Sequence, residues 1–337
     1  MSLEKGIKTA VITCMGLKEG EKVVIASDGP TMNIGKKIRE VAREITPHVR
    51  FFNLDIYGER PLERFPQAIS EAAEEADVGF WTANSFEGEL ESIRGPFIRT
   101  VMNGGRHGHM VNINEEVIES ALAVDYEEIK EFTNKLYDKL IKTDKVRITN
   151  EQGTDITASF SDRWKWVPSA GICHEMGHWN NIPDGEVFTA PKEMDGKIVV
   201  DGVIGEYFGN KYSHEDLKKT PITIKIRTND RAKAVDVSCD NDELKKEVHD
   251  YIHQHDCSPF IGELGFGTNI FLDELSGNML QDEKFPGVHI AFGDPMADET
   301  YADWTCPEHL DMILTKCNVW LDDEKIMENG EYLMDKF

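Results

Sequence analysis

The run KVVIASDGPTMNIGKKIREVAREITPHVRFFNLDIY, residues 22–57, decides the fold of the first half of the chain. Its β-rich opening, KVVIASD (22–28), gives way to a helical face of Ile34, Ile38, Val41 and Ile45, and then to a second β-rich run, VRFFNLDIY (49–57). A strand, a 3.6-period helix and a strand in that order make a βαβ unit. Downstream the alternation continues with PQAISEAAEEA (66–76) as helix, VGFWTAN (78–84) as strand, GELESIRGPFIRTVMNGG (88–105) as helix and HMVNI (109–113) as strand. Right-handed crossovers place such helices on both faces of a parallel sheet, so the fold class is α/β with a doubly wound N-terminal domain. No GxGxxG follows the first strand. ASDGPTMNIG (26–35) stands there instead, which removes the turn that cradles a dinucleotide phosphate and excludes such a cofactor.

The pattern changes after DYEEIKEFTNKLYDKLIKT (125–143), whose Ile129, Phe132, Leu136 and Leu140 form one helical stripe. Beyond it, KVRITNEQGTDITASF (145–160) reads as a β-hairpin and ITIKIRTNDRAKAVDVSCD (222–240) as two further strands. Two domains are therefore expected, a doubly wound one over 1–143 and an α+β metal-binding one over 144–337. The segments NNIPDGEVF, IGELGFGTN, DEKFPGVHIAFGD and TCPEHLDM are expected as loops, where chemistry concentrates.

Composition narrows the partners. The 337 residues carry 62 acids against 37 bases, a formal charge of -25, which repels nucleic-acid backbones and anionic membranes. With no secretory leader pattern at the N-terminus and no run of 18 apolar residues, a cytoplasmic location and no membrane contact are expected. Six scattered cysteines without a CxxC pair read as reduced thiols, with neither disulfides nor a cysteine-type zinc site.

Two constellations could carry chemistry. HEMGH, with His174, Glu175 and His178, matches the H-E-x-x-H string of zinc peptidases. Two histidines four apart share a metal only on a regular helix, and Gly177, Pro168 and Pro183 surround this one, so it reads as a loop. The second set is dispersed: Glu186, Glu263, Glu283, His289, His309 and Asp311. Carboxylates and imidazoles in this number suit two divalent cations that share bridging oxygens, as in two-metal hydrolases. NGGRHGHM (103–110) reads as a helix cap and turn, and SDRWKW (161–166) as an aromatic edge or part of a cleft.

At these residues the chain resembles the thermophilic metallo-aminopeptidases of the aminopeptidase T and aminopeptidase S type, as a short variant of that leucyl-aminopeptidase-like group. The resemblance rests on four ordered motifs: NIPDGEVFTAP with Glu186, ELGFGTN with Glu263 and Asn269, Asp282-Glu283 before HIAFG with His289, and His309-Leu310-Asp311. It covers about residues 145–315. It implies a homodimeric exopeptidase acting on small peptides, with two divalent ions (zinc, cobalt or manganese) binding a water and the substrate's free amine. Glu186 would then be the proton-carrying base and Glu263 the bridging ligand, with Glu283, His289, His309 and Asp311 completing the set.

The chain departs from the family in three places. Gly185 precedes Glu186 where many members have a second glutamate, Met296 stands where the family has a tyrosine, and the Glu283–His289 spacing is one residue longer than usual. A short relative of the same fold, the 2,5-dihydroxypyridine ring-opening dioxygenase, suggests the rival reading: one ferrous ion held by His309, Asp311 and one of His289, His174 or His178. We expect Glu263→Ala and His309→Ala each to lose metal and activity while His174→Ala keeps its metal. Elemental analysis of the purified variants checks this, and metal loss in His174→Ala would restore the HEMGH assignment.

Overall fold

The computed structural model describes residues 2–209 and 211–337. The chain divides into two units, one of Met1–Lys130 with Ala170–Asp184 and one of Glu131–Ser169 with Gly185–Phe337. The helix Tyr126–Leu140 carries the chain from the first to the second, with Ile129, Phe132, Leu136 and Leu140 all buried. The expected boundary at 143/144 compares with chain crossings near 130, 170 and 185.

The first unit holds a five-stranded parallel sheet, ordered Val49–Asn53, Val23–Ser27, Val78–Trp81, Arg106–His109 and Trp179–Asn181. The chain starts inside the sheet, moves to one edge and returns to build the other side, with helices Met32–Ile45, Gln67–Glu74 and Gly95–Met102 as crossovers. That is the doubly wound order expected. The Val23–Ser27 strand is buried on both faces, as parallel strands covered by helices are.

Two short elements differ from expectation. The fourth strand is Arg106–His109 rather than 109–113, its polar side chains being buried at every position. Arg106 is nevertheless buried, donating to Met15 O at 2.7 Å and Gly16 O at 3.1 Å, and pairing Glu21 through both carboxylate oxygens at 2.9 and 2.8 Å. Burial pushes the neighbouring His107 down to about 3 and His109 well below its usual range, so both are neutral core residues. HEMGH is indeed not helical. Gly177 sits at φ +80°, His174 Nε2 lies 2.8 Å from Thr13 O and His178 Nδ1 lies 3.2 Å from Met176 O.

The second unit is antiparallel. Its larger sheet has eight strands, ordered Ala232–Ser238, Ile222–Thr228, Glu193–Val200, Asp155–Ser159, Lys145–Thr149, Asn318–Leu321, Glu324–Glu328 and Glu331–Tyr332. The smaller has five, ordered His309–Leu314, Gly287–Gly293, Ile261–Gly267, Glu186–Thr189 and Val167–Ser169. Val146, Ile156, Ile198 and Ile224 from the first share one apolar core with Leu264, Ile290 and Met312 from the second. Trp166 joins this unit's packing against Phe160 and Phe266, with ring centroids at 4.7 and 6.2 Å.

Two expectations are corrected here. The segments carrying the dispersed acids and histidines are largely strands, not loops. The Ile261–Gly267 and Gly287–Gly293 strands are buried at every position, so no in–out alternation marks them in the sequence. The cysteines are not all thiols either: Cys257 and Cys306, 49 residues apart, form a disulfide. It joins the segment after the helix Asp242–Tyr251 to the segment before the strand His309–Leu314, a long-range pairing that no local spacing announces. Cys14, Cys173, Cys239 and Cys317 are free. Among the described residues, no helix is long and apolar enough to cross a membrane.

Leu264 points into the core shared by the two sheets and is fully buried. Leu264→Ala should cost about 2–5 kcal/mol, read as a fall in the denaturant midpoint; an unchanged midpoint would show that this core does not stabilise the unit.

Candidate metal centre

The centre is built on one face of the five-stranded sheet. Successive side chains of a strand alternate between faces, and the register pairs Glu263 with Ala291 and Ala291 with Asp311, Gly265 with His289, Gly267 with Glu186, and Gly293 with His309. Acids and imidazoles thus share a face with residues that have little or no side chain. A Cβ on Gly265 would lie 1.9 Å from His289 Nε2, so glycine there makes room for the imidazole. Glu283 comes from outside the sheet, immediately after the short helix Met279–Asp282.

Close contacts connect all six expected residues. His289 Nε2 lies 2.9 Å from Glu263 Oε1 and 3.2 Å from Glu186 Oε2. His309 Nε2 lies 3.5 Å from Glu263 Oε2 and 3.4 Å from Asp311 Oδ1. Glu283 enters through a residue the sequence reading did not single out. Lys284 is fully buried, and its Nζ stands 2.5 Å from Glu186 Oε1 and 2.7 Å from Glu283 Oε1. Asp294 was also missed: its carbonyl accepts His309 Nδ1–H at 2.9 Å, which leaves Nε2 facing the acids. Lys284 was in view within the DEK string; a backbone carbonyl leaves no mark in a sequence.

Burial disfavours every charge in this cluster, and the neighbours decide which groups keep theirs. Glu186 is held below its ordinary value because Lys284 and His289 outweigh its desolvation. Desolvation prevails at Glu263, which is raised, and at Glu283, which burial and the nearby Asp311 and Glu186 push up to about 8 against the pull of Lys284. Both imidazoles resist burial and hold their protons more tightly than usual. His289 is raised to about 10 by Glu186 and Glu263, and His309 well above its ordinary value by Asp311 and Glu263. Asp311, despite its burial, is held down to about 2 by His309.

Four carboxylates face one ammonium and two imidazoles, and in this desolvated place their charge is balanced only while the imidazoles and an acid hold protons, which a bound cation would replace. The residues fit a divalent metal. Donor atoms of Glu186, Glu263 and His289 lie within 4.8 Å of one another, as do those of Glu263, His309 and Asp311, so Glu263 belongs to both groups. Asp311 Oδ1 is buried and, beyond its ion pair with His309, has no hydrogen-bond partner among the described residues, which leaves it able to accept a ligand. Cys257, Cys306 and Glu308 also converge, but their two sulfurs are bonded to each other.

Among solved structures the chain is similar to the 2,5-dihydroxypyridine dioxygenase of Pseudomonas putida KT2440, with a TM-score of 0.71 and 17% identity over 98% of this chain and 96% of that one. It is also similar to wild-type AmpT from Thermus thermophilus, with a TM-score of 0.66 and 15% identity over 98% of each chain. At such identities both establish the fold alone. A search of curated proteins finds no match. The family model of the thermophilic metalloprotease (M29) family matches residues 113–309, a span that holds every proposed ligand except Asp311. Matched over more than half its length, the chain belongs to that family of metal-dependent peptide hydrolases.

Proposed function

We propose that the chain is an aminopeptidase that removes N-terminal residues from small peptides with a metal-activated water. The observation that carries this reading is the position of Glu263, a buried carboxylate belonging to two donor groups at once. A divalent ion bound there would lower the pKa of its water towards neutrality and polarise the scissile carbonyl. Zinc, cobalt and manganese all suit these ligands.

The remaining work falls to the chain itself. Glu263, which belongs to both donor groups, would be a ligand to that ion. For the proton-carrying role expected of Glu186, Glu283 is the better placed acid, because Lys284 and His289 hold Glu186 ionised whereas burial favours the protonated form of Glu283. The residual negative charge suits the α-ammonium of a free N-terminus. His309 is 27% exposed in its side chain, so this side of the centre is open to solvent.

The dioxygenase reading needs two histidines and one carboxylate on one ion. His309 and Asp311 are grouped here with Glu263, and His289 Nε2 is engaged by Glu263 and Glu186. That set, one imidazole and two carboxylates, favours hydrolysis.

Hydrolysis of aminoacyl p-nitroanilides should appear with added zinc, cobalt or manganese, disappear on chelation and fail when the substrate amine is acetylated. Oxygen uptake with a dihydroxylated aromatic ring, iron in the protein and no amide hydrolysis would replace the aminopeptidase with the dioxygenase. Metal uptake should also depend on pH. His309 and His289 hold protons up to raised pKa values, and a ligating nitrogen must lose its proton, so affinity falls as pH falls. Each displaced proton contributes roughly tenfold per pH unit, measurable by calorimetric zinc titration of metal-free protein between pH 6 and 8; a flat profile would mean that neither imidazole is a ligand.

A further inference from the structure

We propose that the Lys284 ammonium takes the place of one of the two divalent ions, so that the centre loads a single ion, on Glu263, His309 and Asp311. The inference rests on the reading of this cluster as a metal-dependent peptidase centre and specifies how many ions it holds.

The two donor groups are not equivalent. In the group of Glu186, Glu263 and His289, both oxygens of Glu186 are already engaged, Oε1 by Lys284 at 2.5 Å and Oε2 by His289 at 3.2 Å. Glu283, the remaining carboxylate on that side, also faces Lys284, at 2.7 Å. A divalent ion entering there would meet a unit positive charge within hydrogen-bond distance of its own ligand, and would have to displace it. The ammonium has nowhere to go, because Lys284 is fully buried and an unpaired buried charge is strongly unfavourable. Lysine is a compact point charge that satisfies two carboxylates where a metal would otherwise do so.

The group of Glu263, His309 and Asp311 is prepared for a ligand instead. Asp311 Oδ1 is buried and makes no hydrogen bond among the described residues, its one close charge being the imidazole of His309, a fellow member of the group, at 3.4 Å. The Asp294 carbonyl fixes the His309 ring through Nδ1–H at 2.9 Å, the kind of outer contact that orients an imidazole for a metal at its other nitrogen. His309 is the most exposed member of either group, which gives an ion access from solvent. The long Glu283–His289 spacing has its counterpart here: the acidic pair Asp282-Glu283 is followed by a lysine, and the lysine reaches the acids. With one dication and one ammonium in place of two dications, the centre keeps one more negative charge for the α-ammonium of a peptide.

The test is metal stoichiometry of the whole chain, prepared metal-free and titrated with zinc, and with cobalt for its visible absorption. Wild type should hold one tightly bound ion, Lys284→Met two, Glu186→Gln one, and His309→Ala none. Two tight ions in wild type would overturn the proposal. So would a folded Lys284→Met that still holds one, or loss of the ion in Glu186→Gln with retention in His309→Ala. Glu186→Gln and His309→Ala decide the matter even if Lys284→Met does not fold. No ion in wild type, with zinc or cobalt, would overturn the metallopeptidase reading itself.

Discussion

Four carboxylates buried on and beside one sheet face set the terms for the rest of this centre. Ionised acids in a desolvated place repel one another, and the structure stands only if protons or cations compensate them. Lys284 does so permanently for Glu186 and Glu283. His289 and His309 do so by holding protons beyond their ordinary range. Asp311 pairs with His309 and its Oδ1 has no hydrogen bond among the described residues, and a divalent ion bound there would take over the balance that the imidazole proton now supplies.

The sheet supplies the geometry that lets such acids approach. Glu186, Glu263, His289 and His309 lie on four strands from distant parts of the chain, and antiparallel pairing aligns them in adjacent rows. Gly265 and Gly267 stand opposite His289 and Glu186, so the face is hollow where the functional groups gather. Rigid strands hold ligands more precisely than loops do. This register places the strand-borne acids and imidazoles on one face; a slip of one residue would turn a strand's whole set to the other side.

Much of this was legible in the residues, and the failures have physical causes. The periodicity of 22–57 disclosed the doubly wound sheet because amphipathic helices and buried strands differ in period. The four ordered motifs disclosed the family and the acids and histidines that now cluster. The strands carrying them were read as loops because burial on both faces removes alternation and because their glycines resemble turn residues. The Cys257–Cys306 bond escaped notice because covalent pairing over 49 residues depends on tertiary structure. Lys284 escaped because a lysine next to a glutamate is usually a solvated residue, and only tertiary packing shows that this one is buried.

Fold alone does not choose between the two chemistries. The chain superposes on a dioxygenase as readily as on AmpT, and a shared scaffold can host unrelated reactions. The choice lies in donor composition. An ion held by Glu263, His309 and Asp311 would meet two anionic oxygens and one nitrogen, a harder and more negative set than two imidazoles and a carboxylate. Such a set favours an ion that acts as a Lewis acid on water and carbonyl oxygen over one that must exchange electrons with dioxygen. A single carboxylate, held where two donor groups meet, thus accounts for both the charge that must be neutralised and the chemistry the neutralising ion can perform.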